Sequence, residues 1–391
     1  MKRYVLFIMA ALLAPGITAQ KFDQLAKTPP MGWNSWNKFA CNVSESLIMG
    51  IADAMVSSGM KDAGYEYVVI DDCWQVARDE NGEIVVDKDR FPHGMKFLAD
   101  YIHSKGLKFG IYSCAGTMTC QRRPGGRGHE YQDARTYARW GVDYLKYDWC
   151  NTGTQDAKAS YSTMRDALYA AGRPVVFSLC EWGSHKPWEW AGNVGHLWRT
   201  TGDIGDSWNS MINIFKQQKD LARYAGPGRW NDPDMLEIGN GGMTTEEYKT
   251  HFSLWCMLAA PLMAGNDLQD MTADTKSILL NKEIIALDQD SLGRQAMCYR
   301  DNIDYQIWIK DLMNKEKAVC LLNISDEKKS VLVDFDLLAR ARVNWRTSAS
   351  LDLQNYKVRD LWEHKDLNLK ETSVYIDLPP HSVKVYRYIS K

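Results

Sequence analysis

Short apolar runs alternate with amphipathic stretches through the first three quarters of the chain. Eight runs are rich in β-branched and aromatic residues and predict strands. They are residues 31–36, 65–74, 108–114, 142–150, 175–180, 197–204, 229–234 and 261–265. Helical patterns lie between them, at 46–63, 156–171, 207–224 and 245–258 among others. Eight strand–helix units in about 265 residues predict an α/β fold of the closed (β/α)₈ barrel type. A doubly wound open sheet is the alternative, but no Gly-x-Gly-x-x-Gly follows the first strand.

The pattern changes after Leu292, where only short alternating runs remain. These candidate strands are residues 305–309, 319–324, 331–335, 374–378 and 383–388. Turn-forming Asn, Asp, Lys and Pro residues separate them, and no pattern of helix length is present. We therefore expect a barrel over residues 20–294 and an antiparallel β-sandwich over residues 295–391.

The N-terminus has the pattern of a signal peptide over residues 1–19. Lys2 and Arg3 precede an apolar run at 4–14, and Ala19 ends a segment of small residues. This run is too short to span a bilayer. We expect export to a periplasm or to the extracellular space.

The composition indicates which classes of partner the protein is expected to bind. The net charge is −2, and the longest basic run is the pair Arg122–Arg123, so neither nucleic acid nor a membrane surface is an expected partner. The 15 Trp and 19 Tyr residues offer rings on which a sugar can stack, although most should be core residues. The nine cysteines leave at least one thiol unpaired within the chain, and spacing alone does not determine their pairing.

Polar residues concentrate where the predicted strands end. In chain order they are Trp33, Asn34, Trp36, Asp71, Asp72, Tyr112, Lys146, Asp148, Glu181, Trp182, Arg199, Asp203, Asp232 and Asp234. A single Asp after a strand is usually a helix cap or a turn residue. Carboxylates after several strands are different, because all these strand ends meet at the mouth of a barrel, where active sites of this fold lie.

Two of these strand ends carry a carboxylate beside a cation. Lys146 and Asp148 are two residues apart on one predicted strand, so they share a face, and the lysine charge favours an ionised Asp148. Asp203 follows Arg199 after the sixth strand. Glycoside cleavage requires one ionised carboxylate and one carboxylic acid. A structural ion pair inside the barrel is the other interpretation of the first pair. Motifs of zinc proteases, zinc fingers and serine hydrolases are absent from the sequence.

Six segments at these strand ends resemble glycoside hydrolase family 27, and most closely its plant-type α-galactosidases. They are 30–36 (PMGWNSW), 70–74 (IDDCW), 146–150 (KYDWC), 180–182 (CEW), 198–204 (WRTTGDI) and 230–235 (WNDPDM). The resemblance covers nearly the whole chain after residue 19. It implies a barrel with a C-terminal β-sandwich that hydrolyses terminal α-galactosides with retention. It implies no metal and no cofactor, and a carbohydrate as the only expected partner.

The resemblance also implies a role for each matched residue. Asp148 would be the nucleophile and Asp203 the acid/base. Asp71 and Asp72 would hold the galactose 4- and 6-hydroxyls, Lys146 the 3- and 4-hydroxyls. The remaining substrate-binding positions would be Arg199 at the 2-hydroxyl, Cys180, Glu181 and Trp182 at the C2 substituent, and Trp36, Tyr112, Cys120 and Asp234 around the pocket.

Two disulfides follow from the same resemblance, Cys41–Cys73 and Cys120–Cys150. Gly195 stands where some relatives have the partner of Cys180, so we expect Cys180 to be reduced and to line the site. Three other functions stay open: an α-N-acetylgalactosaminidase, a β-L-arabinopyranosidase and a non-catalytic galactose-binding protein. The oligomeric state and the natural galactoside are open as well.

Overall fold

The computed structural model describes residues 21–343 and 349–391, so the expected signal peptide lies outside the described residues. Ten strands lie between residues 21 and 265 of the described part. They are β1 (Met31–Asn34), β2 (Tyr67–Ile70), β3 (Gln75–Arg78), β4 (Ile84–Val86), β5 (Lys108–Cys114), β6 (Tyr144–Asp148), β7 (Val176–Cys180), β8 (Leu197–Arg199), β9 (Trp230–Asp232) and β10 (Leu262–Ala264). β3 and β4 form an antiparallel hairpin after β2, and the other eight strands belong to one sheet.

The eight-stranded sheet is parallel throughout and closes on itself. Its order is β10-β1-β2-β5-β6-β7-β8-β9. The segment after β9 joins the two ends, because the Leu236 N–H donates to the carbonyl of Met263 (2.8 Å) and the Gly265 N–H donates to the carbonyl of Leu236 (3.0 Å). The predicted (β/α)₈ barrel is therefore confirmed, and every strand ends at the same mouth.

The helices surround this barrel. They are α1 (Trp36–Phe39), α2 (Glu45–Ser57), α3 (Met60–Ala63), α4 (Gly94–Ser104), α5 (Glu130–Trp140), α6 (Ala157–Ala171), α7 (Trp208–Lys216), α8 (Thr245–Leu258), α9 (Ala273–Leu279) and α10 (Lys282–Asp288). The predicted helix 46–63 is two helices, because Gly59 at φ 88° interrupts it. The predicted helix 207–224 ends at Lys216 instead. Ser207 and Thr244 cap α7 and α8 by accepting from backbone N–H groups.

A β-sandwich follows the barrel, as predicted. Its strands are β11 (Met297–Asp301), β12 (Tyr305–Asp311), β13 (Lys317–Asn323), β14 (Lys329–Asp334), β15 (Tyr356–Asp360), β16 (Lys365–Asp366), β17 (Ser373–Leu378) and β18 (Val383–Ser390). A six-stranded sheet, ordered β11-β12-β13-β18-β15-β16, faces the pair β14–β17. The sequence did not predict helix α11 (Phe335–Arg340), whose six residues are too few to show a helical period.

The sandwich packs against the barrel through α8 and α10. The Trp362 indole N–H donates to the Ser253 hydroxyl (2.9 Å), and the Thr250 hydroxyl donates to the carbonyl of His381 (2.8 Å). Arg359 forms an ion pair with Glu283 (2.6 Å). Within the described ranges, no helix has the length and apolar character needed to cross a membrane.

Candidate active site

One cavity of about 590 Å³ opens at the C-terminal ends of the barrel strands. It brings together eleven of the thirteen residues that the sequence indicated for catalysis and substrate binding. They are Trp36, Asp71, Asp72, Tyr112, Cys120, Lys146, Asp148, Trp182, Arg199, Asp203 and Asp234. Every residue of the cavity wall lies between positions 36 and 240, so the described part of the sandwich contributes none.

The two residues missing from this wall are Cys180, the last residue of β7, and Glu181, which follows it. Glu181 is fully buried, and its carboxylate accepts from the backbone N–H of His185 (2.7 Å) and lies 2.8 Å from the His185 ring. Cys180 is buried with its sulfur 3.6 Å from the Arg199 guanidinium. The next residue, Trp182, has a left-handed backbone at φ 59° and does line the cavity. Of the three residues expected at the C2 substituent, Trp182 lines the cavity, and Cys180 and Glu181 are buried outside its wall.

Left-handed backbone recurs at the mouth of the barrel. Cys73, Asn151, Trp182 and Asp234 have φ between 52° and 82°, and each lies two or three residues after the end of a barrel strand. This conformation is unfavourable for residues other than glycine, and such strain concentrates at functional sites. These turns allow residues adjacent in sequence to point in different directions at the strand ends.

Asp148 is a buried carboxylate of the site, at the end of β6. One of its oxygens accepts from the Tyr112 hydroxyl (2.9 Å), and the other accepts from the Trp149 N–H (2.8 Å). Burial raises the pKa of Asp148 to about 6, although the nearby Lys146 charge and these hydrogen bonds lower it. The carboxylate is thus ionised at neutral pH and protonated in mild acid.

The Lys146 ammonium has a different direct partner from the one expected. Its Nζ lies 2.8 Å from a carboxylate oxygen of Asp71, which also accepts from the Asn34 amide (2.8 Å). Burial alone would lower the pKa of Lys146, but the charges around it, Asp71 first, raise that pKa well above its usual value. Lys146 and Asp148 do share one face of β6 as predicted, since both line the cavity.

Asp72 is the second residue after β2 and is fixed by backbone donors. It accepts from the N–H groups of Cys73 (2.7 Å) and Gln121 (3.0 Å), and burial raises its pKa. Both expected disulfides, Cys41–Cys73 and Cys120–Cys150, are present, and Cys180 is free as expected. The second disulfide holds the loop after β5 against the residues that follow Asp148.

Arg199 links the ends of two neighbouring strands, β8 and β9, through its guanidinium. It lies 3.0 Å from a carboxylate oxygen of Asp203 and 3.0 Å from one of Asp234. The other oxygen of Asp234 accepts from the Ile204 N–H (2.8 Å), which fixes the loop that carries Asp203. The Asp203 side chain is 69% exposed, whereas Arg199 is 3% exposed. Asp203 is therefore open to solvent and to the cavity, whereas Asp148 and the other strand-end carboxylates of the wall, Asp71, Asp72 and Asp234, are buried.

A metal ion has a poor set of ligands here. Only the sulfur atoms of Cys120 and Cys150 cluster with the Asp148 carboxylate among the described residues. Both sulfurs belong to a disulfide, so neither supplies the thiolate that metals require.

Five polar residues of the wall were not identified from the sequence. They are Asn37, Lys38, Asp206, Glu237 and Asn240. Glu237 is 3% exposed, and burial raises its pKa to about 7. Glu237 lies three residues after Asp234, and Asp206 three after Asp203, so a wider search of the loop after each strand would have found both.

Comparisons with known proteins place this geometry in a family. Residues 28–290 match the family model described as alpha galactosidase A, and residues 302–388 match the alpha galactosidase C-terminal beta sandwich domain. The alpha-galactosidase A of Cellvibrio japonicus is 52% identical and covers 97% of this chain and 96% of its own.

Two solved structures agree over nearly the full length of both chains. Alpha-galactosidase I from Mortierella vinacea has a TM-score of 0.89 at 39% identity and covers 95% of this chain and 99% of its own. An α-galactosidase from Saccharomyces cerevisiae, determined with raffinose, has a TM-score of 0.86 at 30% identity and covers 95% and 100%. The chain belongs to the α-galactosidase family, glycoside hydrolase family 27.

Proposed function

We propose that this α-galactosidase releases terminal, non-reducing α-galactosyl residues by double displacement, with Asp148 as the nucleophile and Asp203 as the acid/base. The observation that carries the assignment is that a buried and an exposed carboxylate, from β6 and from the loop after β8, line one cavity. Retaining glycosidases use two carboxyl groups in these two roles.

In the first step an oxygen of Asp148 attacks the anomeric carbon of galactose. The bond from that carbon to the leaving oxygen breaks, and Asp203 transfers its proton to that oxygen, so a β-linked galactosyl ester and a free alcohol form. In the second step Asp203 takes a proton from water, which attacks the same carbon and releases Asp148. Galactose leaves with its original α configuration.

The positions of the two carboxylates suit these roles. Asp148 is ionised at neutral pH and oriented by Tyr112 and by the Trp149 N–H, as a nucleophile must be. Asp203 is exposed at the cavity, where one of its oxygens lies 3.0 Å from the Arg199 guanidinium. This exposure leaves Asp203 accessible to the leaving oxygen and to water, as an acid/base must be.

The charged residues on the other side of the cavity would select galactose. Asp71, Asp72 and Lys146 carry fixed charges held by backbone or side-chain partners. Galactose differs from glucose in its axial 4-hydroxyl. Hydrogen bonds from that hydroxyl to buried charges discriminate strongly, because a substrate without it leaves the charges unpaired.

The proposal also includes export of the protein from the cytoplasm. Two disulfides fit an oxidising compartment outside the cytoplasm, and the pattern of residues 1–19 would direct the chain there.

The pH dependence of catalysis should report the state of Asp148. Since the nucleophile must be ionised, kcat/KM should fall as the pH drops through about 6. The Tyr112 hydroxyl stabilises the ionised carboxylate, so Tyr112→Phe should raise the pKa and move this acid limb to higher pH. The measurement is kcat/KM for 4-nitrophenyl α-galactoside from pH 4 to 8. An acid limb at the same pH in the variant would contradict the assignment of that limb to Asp148.

The proposed specificity is tested with three nitrophenyl glycosides. An N-acetyl group at C2 would meet the Trp182 indole, and overpacking a rigid pocket costs about 1–3 kcal/mol, with a further loss if the reacting atoms move. We expect kcat/KM for the α-galactoside to exceed that for the α-N-acetylgalactosaminide by about a hundredfold. The β-L-arabinopyranoside lacks the 6-hydroxymethyl group expected to contact Asp71 and Asp72, and should be the poorer substrate.

Comparable rates on the three glycosides would contradict this specificity and leave the two-step mechanism standing. Trp182→Ala should narrow the difference chiefly by admitting the acetamido sugar, because the indole is the bulk that excludes it.

A further inference from the structure

The proposed acid/base, Asp203, lies on an exposed loop. This loop, residues 200–207, joins β8 to α7. The Asp203 side chain is 69% exposed, so the packing of neighbours around it does little to fix its position. The place of its carboxylate therefore depends on the contacts that hold the loop itself.

Two of these contacts come from the barrel. The Ile204 N–H donates to a carboxylate oxygen of Asp234 (2.8 Å), directly after Asp203 in the sequence. Asp206 accepts from the hydroxyl of Tyr248 (2.9 Å), which belongs to α8. The barrel thus fixes the middle of the loop at two points.

A third contact comes from the β-sandwich, at the point where the loop ends. Trp208 is the first residue of α7, and its indole stacks on the ring of His381, with the ring centroids 4.1 Å apart and 15° between the ring planes. His381 lies in the turn between β17 and β18. Neither residue lines the cavity, so any effect of this pair on the reaction must pass through the loop.

The ring of His381 is itself held in place. Its Nδ1 lies 2.8 Å from a carboxylate oxygen of Glu247, in the first turn of α8, and its Nε2 lies 2.9 Å from one of Asp326. The His381 carbonyl accepts from the Thr250 hydroxyl (2.8 Å). A side chain with partners at both ring nitrogens has little freedom to rotate, so Trp208 packs against a fixed surface.

We propose that His381 is a positioning residue of the reaction: its ring fixes Trp208 and, through the loop 200–207, places Asp203 at the leaving oxygen. This inference rests on the proposed function of Asp203. It gives the sandwich, whose described residues line no part of the cavity, a role in catalysis. An acid/base must lie about 3 Å from the atom that it protonates, and a displacement of about 1 Å can cost about a hundredfold in rate.

The test uses two aryl galactosides of similar shape. Phenyl α-galactoside has a poor leaving group that needs a proton, and 4-nitrophenyl α-galactoside has a good one that leaves without it. His381→Asn removes the ring, and asparagine tolerates the left-handed backbone at this position (φ 53°). We expect kcat/KM to fall about tenfold for the phenyl substrate and less than about twofold for the nitrophenyl substrate. The ratio of the two values does not depend on the fraction of enzyme that is folded.

The other ring of the stack provides a second route to the same result. Trp208→Leu should change the ratio by the same factor, which tests the inference even if His381→Asn does not fold. Trp208→Phe keeps a ring and should leave the ratio within about twofold of its original value. The double variant His381→Asn/Trp208→Leu should be no worse than either single variant, because both remove one contact.

Trp362→Phe is the matched control at the same interface. It removes the hydrogen bond from the sandwich to Ser253, later in α8, and should leave the ratio of the two substrates unchanged. A changed ratio in this control would mean that any loosening of the interface acts on Asp203, and would contradict a specific role for His381.

Equal losses on the two substrates in His381→Asn and Trp208→Leu, or unchanged values, would overturn the positioning role. So would a further loss on the phenyl substrate when His381→Asn is added to Asp203→Ala, because His381 has nothing to position once that carboxylate is gone. If Asp203→Ala itself lowers both substrates equally, the proposed role of Asp203 fails, and the inference fails with it. That outcome is distinguishable from the others because it appears without any change at His381.

Discussion

Asp148→Ala should lower kcat for 4-nitrophenyl α-galactoside by about four orders of magnitude or more, because no other group can form the galactosyl ester. The fold should remain, since the change removes a buried charge whose burial is itself unfavourable. Near-ultraviolet circular dichroism and the melting temperature check this point.

Azide gives the same variant a chemical readout. The alanine leaves room beside the anomeric carbon, on the side from which Asp148 attacks. Azide should therefore restore part of the activity and yield β-galactosyl azide. An α-linked azide from Asp148→Ala would show that this residue does not act on that face of the sugar.

Asp203→Ala should show the second largest effect, and its size should depend on the leaving group. General acid catalysis contributes about 10²- to 10⁴-fold, and most where the leaving alcohol is a poor one. We expect a loss of about a thousandfold or more in kcat/KM for melibiose and a much smaller loss for 4-nitrophenyl α-galactoside, whose phenolate leaves without a proton.

The second step of the reaction, hydrolysis of the galactosyl enzyme, provides a further test of Asp203→Ala. The galactosyl enzyme should accumulate in Asp203→Ala because no base activates water, and azide, which needs no base, should release it as α-galactosyl azide. Equal losses on the two substrates, or a β-linked azide, would contradict the assignment of Asp203.

The sequence predicted most of the cavity because the barrel itself could be predicted. In a parallel barrel every strand delivers its C-terminal residues to the same mouth, so polar residues after predicted strands, such as Asp71, Asp148 and Asp203, had to meet there. The period of two along β6 likewise predicted that Lys146 and Asp148 share a face.

Other features depended on contacts that a linear pattern does not contain. Glu181 was expected on the cavity wall beside Trp182. The left-handed backbone at Trp182 instead turns the side chains of Glu181 and Trp182 in different directions. The direct partner of Lys146 is Asp71, which is 75 residues away in sequence. Glu237 and Asn37 belong to loops after different strands and meet only because the barrel closes.

The pKa of Asp148 also could not be predicted from the sequence. The nearby lysine correctly suggested a force that favours the ionised carboxylate, but burial has the larger effect and raises the pKa to about 6. Burial of a strand-end residue depends on the loops that cover it, here those carrying Cys120 and Trp149. The sign of such a balance requires the folded geometry.

The most direct test of the account is to trap the covalent intermediate and find the residue that carries it. A fluorinated α-galactosyl inactivator forms the galactosyl ester but slows its hydrolysis, and peptide mass spectrometry then locates the label. We expect one galactosyl group per chain, on Asp148, and none on Asp148→Ala. A label on any other residue would contradict the central claim that Asp148 is the nucleophile.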